Sequence, residues 1–141
     1  MSEFVEMQSA LLGGSPLDYA VAKAEGFELR RLKHDFRLSL NGADAGFLRK
    51  KSQGFKVNRP GYWQPSLDWN QGGPLIDKHR ISFVTNGTGP SDEQGNEPIV
   101  AIAGGLNWKA CEGKTHLIAA CRAVVAAKLG DTVSVPKELL P

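Results

Sequence analysis

Two different hydrophobic periods divide this chain, and they constrain its fold more than any other feature. From residue 115 to residue 129 the apolar positions Leu117, Ile118, Cys121, Val124, Val125 and Leu129 fall on one face of a helix. Thr115 is a suitable N-cap, Lys128 suits the last turn, and Gly130 the stop. Val124 is expected to be buried and Arg122, two places away, to point outward. A second helix is expected over 16–25, where Leu17, Ala20, Val21 and Ala24 form one stripe. Ser15 can cap it, Pro16 suits the first helical position, Asp18 favours the positive helix end, and Gly26 supplies the stop.

Between these helices the pattern alternates. Strands are expected at 27–32 and at 36–40, where Phe36, Leu38 and Leu40 share a face. Asn41-Gly42 then signals a turn. Shorter strands fit 46–49, 54–57 and 79–84, with Ile81 and Phe83 on one side of the last. The stretch 86–96 is rich in glycine, proline and acids and reads as an exposed loop. A buried strand fits 99–103, and a short one ended by Pro136 fits 132–135. Residues 1–14 show no clear period and read as a poorly structured segment. Helix, strands, helix, strand is an α+β order, unlike the alternation of parallel βαβ folds. The expected architecture is a single domain, 1–141, with two helices on one curved, mostly antiparallel sheet. Its core should include Leu17, Val21, Ile99, Leu117, Ile118, Cys121, Val124 and Val125.

Length and composition narrow the class. With 141 residues, 41% of them apolar and 23% charged, the chain can fold without disulfides. No apolar run approaches the ~20 residues that span a bilayer, and the start, with Glu3 and Glu6, lacks a secretory pattern. Cys111 and Cys121 form no CxxC pair, which argues against structural zinc and for reduced thiols, with Cys121 in the core.

The most unusual stretch is YWQPSLDWNQGGPLID, residues 62–77. Two of the three tryptophans, Trp63 and Trp69, lie here with Tyr62. Pro65, Gly72, Gly73 and Pro74 read as a stiff loop, and Gln64, Ser66, Asp68, Asn70 and Gln71 can all hydrogen-bond. Flat aromatic faces among polar groups suit a planar polar ligand such as a base or nucleotide. The same composition equally suits a structural loop whose tryptophans plug the core and whose Asp68 caps a turn.

LDYAVAKAEG (17–26), SLDWNQGGPLID (66–77) and HLIAACRAVVAAKLGDTVSVPKEL (116–139) together resemble the phage NinX-like family of small phage and prophage proteins of unknown function. The resemblance covers about half the chain in the right order, and the central motif is specific. Tyr19 stands where the family usually has Trp, Leu67 where it has Thr, and Lys114 and His116 where it has prolines. Residues 27–61 carry no part of the resemblance. It implies a phage accessory protein in the bacterial host cytoplasm, and no activity.

Other chemistry has less support. The phosphate-loop motif would need a glycine at position 108, which is Trp108. Gly113, Lys114, Thr115 and His116 stand where a helix begins and could meet an anion, or be an ordinary cap and a solvated lysine. Residues 27–59 hold nine basic side chains (Arg30, Arg31, Lys33, Arg37, Arg49, Lys50, Lys51, Lys56 and Arg59) against three acidic ones, in a chain of net charge +2. That excess suits unspecific nucleic-acid contact or a solvated face, because no base-reading motif accompanies it. His34, His79 and His116 are isolated, and one Asp77-x-His79 pair does not define a metal site. No nucleophile motif is present, and Asp68 is the best single acid or base. The sequence calls for no metal and no cofactor. Three classes remain open. One is a non-enzymatic binder of a small polar or phosphorylated ligand, using Tyr62, Trp63, Ser66, Asp68, Trp69, Asn70 and Gln71, with Arg59, Lys114 and Thr115 for negative charge. The second is a nucleic-acid or host-protein module using the basic 30–59 region. The third is a small hydrolase or transferase.

Overall fold

The computed structural model describes residues 3–33, 35–49, 62–85, 99–104 and 109–140. Its strands are β1 (Phe4–Gln8), β2 (Glu28–Arg31), β3 (Asp35–Leu40), β4 (Ala43–Arg49), β5 (Ser82–Thr85), β6 (Ile99–Ala103), β7 (Lys109–Gly113) and β8 (Thr132–Pro136). Its α-helices are α1 (Gly14–Ala24), α2 (Trp69–Lys78) and α3 (His116–Leu129). The expected strand at 54–57 and loop at 86–96 lie outside the described residues.

The α+β class holds, but two helices on one curved sheet does not. Among the described residues there are three α-helices and three separate antiparallel sheets, ordered β1-β8, β2-β3-β4 and β5-β6-β7. Most pairings are local. The β3–β4 hairpin turns at Asn41 and Gly42, both left-handed (φ 52° and 81°), the backbone that an Asn-Gly hairpin turn requires. The N-terminal segment is not unstructured: β1 pairs with β8 at the other end of the chain, Val5 opposite Val135 and Met7 opposite Val133. Five residues of alternation are too short a signal when the partner strand is that remote. Ser9 extends the seam, its hydroxyl donating to the Gly130 carbonyl at 2.6 Å.

Two clusters of buried residues form the core. One gathers Leu12, Leu17, Val21, Phe36, Leu38 and Leu48 around Cys121 and Val125 of α3. The other gathers Ile81, Ala101, Ala103 and Cys111 around Ala119, Ala120, Ala123 and Val124 of the same helix. α3 is therefore buried on two sides, not along one stripe. Its alanines let backbone approach backbone: a Cβ at Gly113, the last residue of β7, would lie 2.9 Å from the Ala119 Cα. Of the expected core residues, Ile99 and Ile118 are partly buried and the rest are buried. Leu40 and Leu129, placed on inward faces by their spacing, are exposed at 39% and 37% because each ends its element.

Details at the helix ends also differ. α1 begins two residues earlier than expected; Gly13 occupies the cap position and no side chain caps it, so Ser15 is not the cap. Thr115 does cap α3, its hydroxyl accepting from the Ile118 N–H at 3.1 Å. Arg122 does not simply point outward. Its guanidinium donates to the carbonyls of Leu12 (2.7 Å) and Glu112 (2.8 Å), tying the segment before α1 and β7 to α3.

Val124 is fully buried. Val124→Asp should therefore abolish cooperative folding, since an unpaired buried carboxylate costs several kcal/mol against a total stability of about 5–15 kcal/mol. Arg122→Ala should cost less, about 1–3 kcal/mol for its charge-assisted bonds. Thermal melts of the two variants check the order; a lower melting point for Arg122→Ala would contradict this placement of α3.

Candidate functional site

The stretch 62–77 is not a loop throughout. Asp68 ends its irregular part and α2 starts at Trp69. The Asp68 carboxylate accepts from the Asn70 N–H at 2.9 Å, so this acid caps the helix. Pro74 lies inside α2, where a proline removes one helical hydrogen bond. The sequence reading stopped at that proline and at the two glycines before it. Gly72 serves packing instead: a Cβ there would strike the Pro65 carbonyl and stand 2.6 Å from Leu117 Cδ2 of α3.

Gln71 reaches back from α2 and closes the irregular part. Its side-chain oxygen accepts from the Gln64 N–H and its amide donates to the Tyr62 carbonyl, both at 2.6 Å. Tyr62 itself bridges to Phe47 of β4. Trp63 is half-buried; its indole N–H donates to the Asp18 carbonyl at 2.9 Å and its ring meets Phe27 edge-on at 4.9 Å. Ser66 is buried, and its N–H donates to Asp18 Oδ1 at 3.0 Å. Tyr62, Trp63, Ser66 and Gln71 thus hold the segment against α1 and β4.

Asp18 was missed as a site residue, because at the start of a helix it reads as a favourable charge. It is 4% exposed. The signal was present: a carboxylate between Leu17 and Tyr19-Ala20-Val21-Ala22 has no polar face to use. Burial pushes its pKa up to about 7, against the opposing pull of the Ser66 hydroxyl and N–H. The Ser66 hydroxyl is near enough to favour the charged form yet lacks hydrogen-bond geometry, and so is left without a full partner.

A different subset faces solvent. Trp69 is 57% exposed at the first turn of α2. Its ring lies 6.4 Å from His116, the first residue of α3, and His116 meets Phe83 of β5 edge-on at 4.9 Å. Lys114 and Thr115, both exposed, lead into the same helix end, and Asn70 is exposed beside Trp69. The structure therefore joins Trp69 with Lys114 and Thr115 through His116, expected at the same helix start, and sets Phe83, expected on one face of a strand, against that histidine. Leu67, 48% exposed, precedes the cap of α2. Arg59 lies outside the described residues.

Asp77 and His79 do not share a strand face, because 79 and 80 close α2 and the strand starts at Ser82. His79 Nε2 instead meets Glu25 Oε2 at 2.8 Å, and Lys78 donates to Glu25 Oε1 at 2.8 Å. Burial alone would raise the Glu25 pKa; the hydrogen bonds and charges of Lys78 and His79 outweigh it and hold it below the usual glutamate value. Among the described residues no three His, Cys, Asp or Glu are arranged to hold a metal. In the basic region, Arg31 pairs with Glu3 and Glu138, and Arg37 with Asp44. Lys50, Lys51, Lys56 and His34 lie outside the described residues.

Asp68→Asn keeps the capping acceptor and should leave stability almost unchanged, whereas Asp68→Ala should cost about 1 kcal/mol. Gly72→Ala should cost more, about 1–3 kcal/mol, because the added carbon meets backbone. Denaturant midpoints of the three variants check this order.

Comparison with known proteins follows the same boundaries. No curated protein matches the chain. Among the described residues no helix is long and apolar enough to cross a membrane. The family model described as "Bacteriophage P22, NinX" matches residues 8–128, from β1 to the last turn of α3 and including 27–61, where motif reading found nothing. The chain belongs to the phage P22 NinX family.

Proposed function

We propose that this phage accessory protein binds a small planar ligand bearing negative charge, a nucleotide by preference, without acting on it chemically. The observation that carries this reading is Trp69, more than half exposed and flanked by His116 at the N-terminal end of α3. An exposed tryptophan face stacks on a flat ring. The adjoining helix start, with free N–H groups and Lys114, favours a phosphate. In this reading the ligand side is Trp69, Asn70, His116, Lys114 and Thr115. Tyr62, Trp63, Ser66, Asp68 and Gln71 move from ligand contacts to supports that fix where Trp69 stands. The charge left on the described part of the basic region gives the nucleic-acid reading less to rest on, because Arg31 and Arg37 are already paired.

The test uses adenosine and guanosine nucleotides, the two nucleosides and inorganic phosphate as probes, read by thermal shift and tryptophan fluorescence. A nucleotide should raise the melting temperature and quench fluorescence. Trp69→Ala should lose about fivefold to a hundredfold in affinity, on the order of 1–3 kcal/mol for one stacked base, with the melting point of the free protein nearly unchanged. Lys114→Ala should weaken nucleotides and leave nucleosides alone. Failure of every probe to shift the parent protein would overturn the proposal.

A further inference from the structure

The interior of α1 carries a carboxyl that meets no cation among the described residues. Asp18 is 4% exposed and accepts one N–H, from Ser66. Beside it is the Ser66 hydroxyl, itself buried and without a full partner. On the α3 side, Cys121 is close enough for the carboxylate to raise the thiol's pKa, in addition to the larger effect of burial. No lysine, arginine or histidine among the described residues acts on the Asp18 charge, so its surroundings from the irregular segment and from α3 are Ser66 and Cys121. The same residue holds the segment twice, since the Trp63 indole N–H donates to the Asp18 carbonyl.

We infer that Asp18 and Ser66 form a proton-operated clasp, closed on segment 63–68 while the carboxyl is neutral and loosened when it ionises. Asp18, with 4% exposure and one accepted N–H, is stripped of water, and burial outweighs what the Ser66 N–H and hydroxyl do for its charge, so the neutral acid is the form that fits the closed state. The charged form meets no cation among the described residues, and water is what it needs. α3 is packed on two sides and cannot yield. The segment 63–68, held on α1 by two hydrogen bonds, can. Its opening hydrates the carboxylate and releases the stretch that leads into α2. The pKa of the closed form, pushed up to about 7, places the event in the physiological range.

The sign follows from linkage. The closed state holds its proton up to about pH 7. The open state, with an ordinary aspartate, loses it near pH 3.8. Opening therefore becomes easier by about tenfold per pH unit between those values and levels off above the upper one. This device stands whether or not the Trp69 face takes a ligand.

Amide hydrogen exchange of the full chain between pH 5 and 8, corrected for intrinsic rates, tests it. The opening constant at the Ser66 N–H should rise about tenfold per pH unit to about pH 7 and then flatten. Val124 in α3 should exchange more slowly throughout. In Asp18→Asn the slope should vanish. In Ser66→Ala, which keeps the carboxyl and removes a hydroxyl that favours its charge, the break should move to higher pH. Ser66 exchange without a pH slope, a slope that persists in Asp18→Asn, or Ser66 and Val124 exchanging at one common rate would each overturn the clasp. Should Asp18→Asn fail to fold, the direction of the Ser66→Ala shift decides the question.

Discussion

The two-sided burial of α3 sets the terms for the rest of the molecule. One flank packs on α1 and the β2-β3-β4 sheet, the other on the β5-β6-β7 sheet. The flank toward the β5-β6-β7 sheet is mostly alanine, Ala119, Ala120 and Ala123 beside Val124, which lets β7 approach the helix closely. Packing this tight leaves little freedom to add a carbon, so Gly72 and Gly113 fall where neighbouring backbone touches α3 or its partner segment. It also explains why three small sheets replace one large one. Each needs to cover only part of a helix, and α3 joins the two larger ones.

Segment 62–78 shows how local sequence and tertiary context can disagree. Two glycines and a proline within ten residues argue against a helix. The helix forms because its costs are met elsewhere. Asp68 caps it, Gln71 fixes the chain that enters it, and Leu75 is buried on its inner side. Pro74 stands on the exposed side, six residues in, where it loses one bond without thrusting its ring into the core.

What could be read in the sequence was whatever a window of ten or fifteen residues can hold. The two helices α1 and α3, the Thr115 cap, the Asn41-Gly42 turn and β6 at 99–103 are local, and they stand within two residues of where the pattern put them. β1 was illegible because its partner is β8, and β7 because alternation in Lys-Ala-Cys-Glu-Gly is too weak to stand out. The candidate site was legible by composition and not by role. Trp63 and Trp69 look alike in the chain, yet one is pinned by Asp18 and Phe27 and the other projects into solvent. Only the placement of α3 beside α2 brings His116 to Trp69 and separates them.

Two carboxylates of the α1 region show how far surroundings outweigh residue type. Asp18 and Glu25 are both largely shielded from water and both fasten the segment 63–79, one at its start and one at its end. Glu25 meets Lys78 and His79, so its charged form is favoured and its hold fails as acid protonates it. Asp18 has only one N–H and a hydroxyl to offset its burial, so burial prevails, its neutral form is favoured and its hold weakens as base removes the proton. The two ends of the same strap thus respond to pH in opposite directions. Rising pH weakens the Trp63 end from about pH 3.8 to about pH 7, whereas acid weakens the α2 end, so no pH holds both ends at full strength. Two carboxylates with lowered pKa values would have given both ends the same slope.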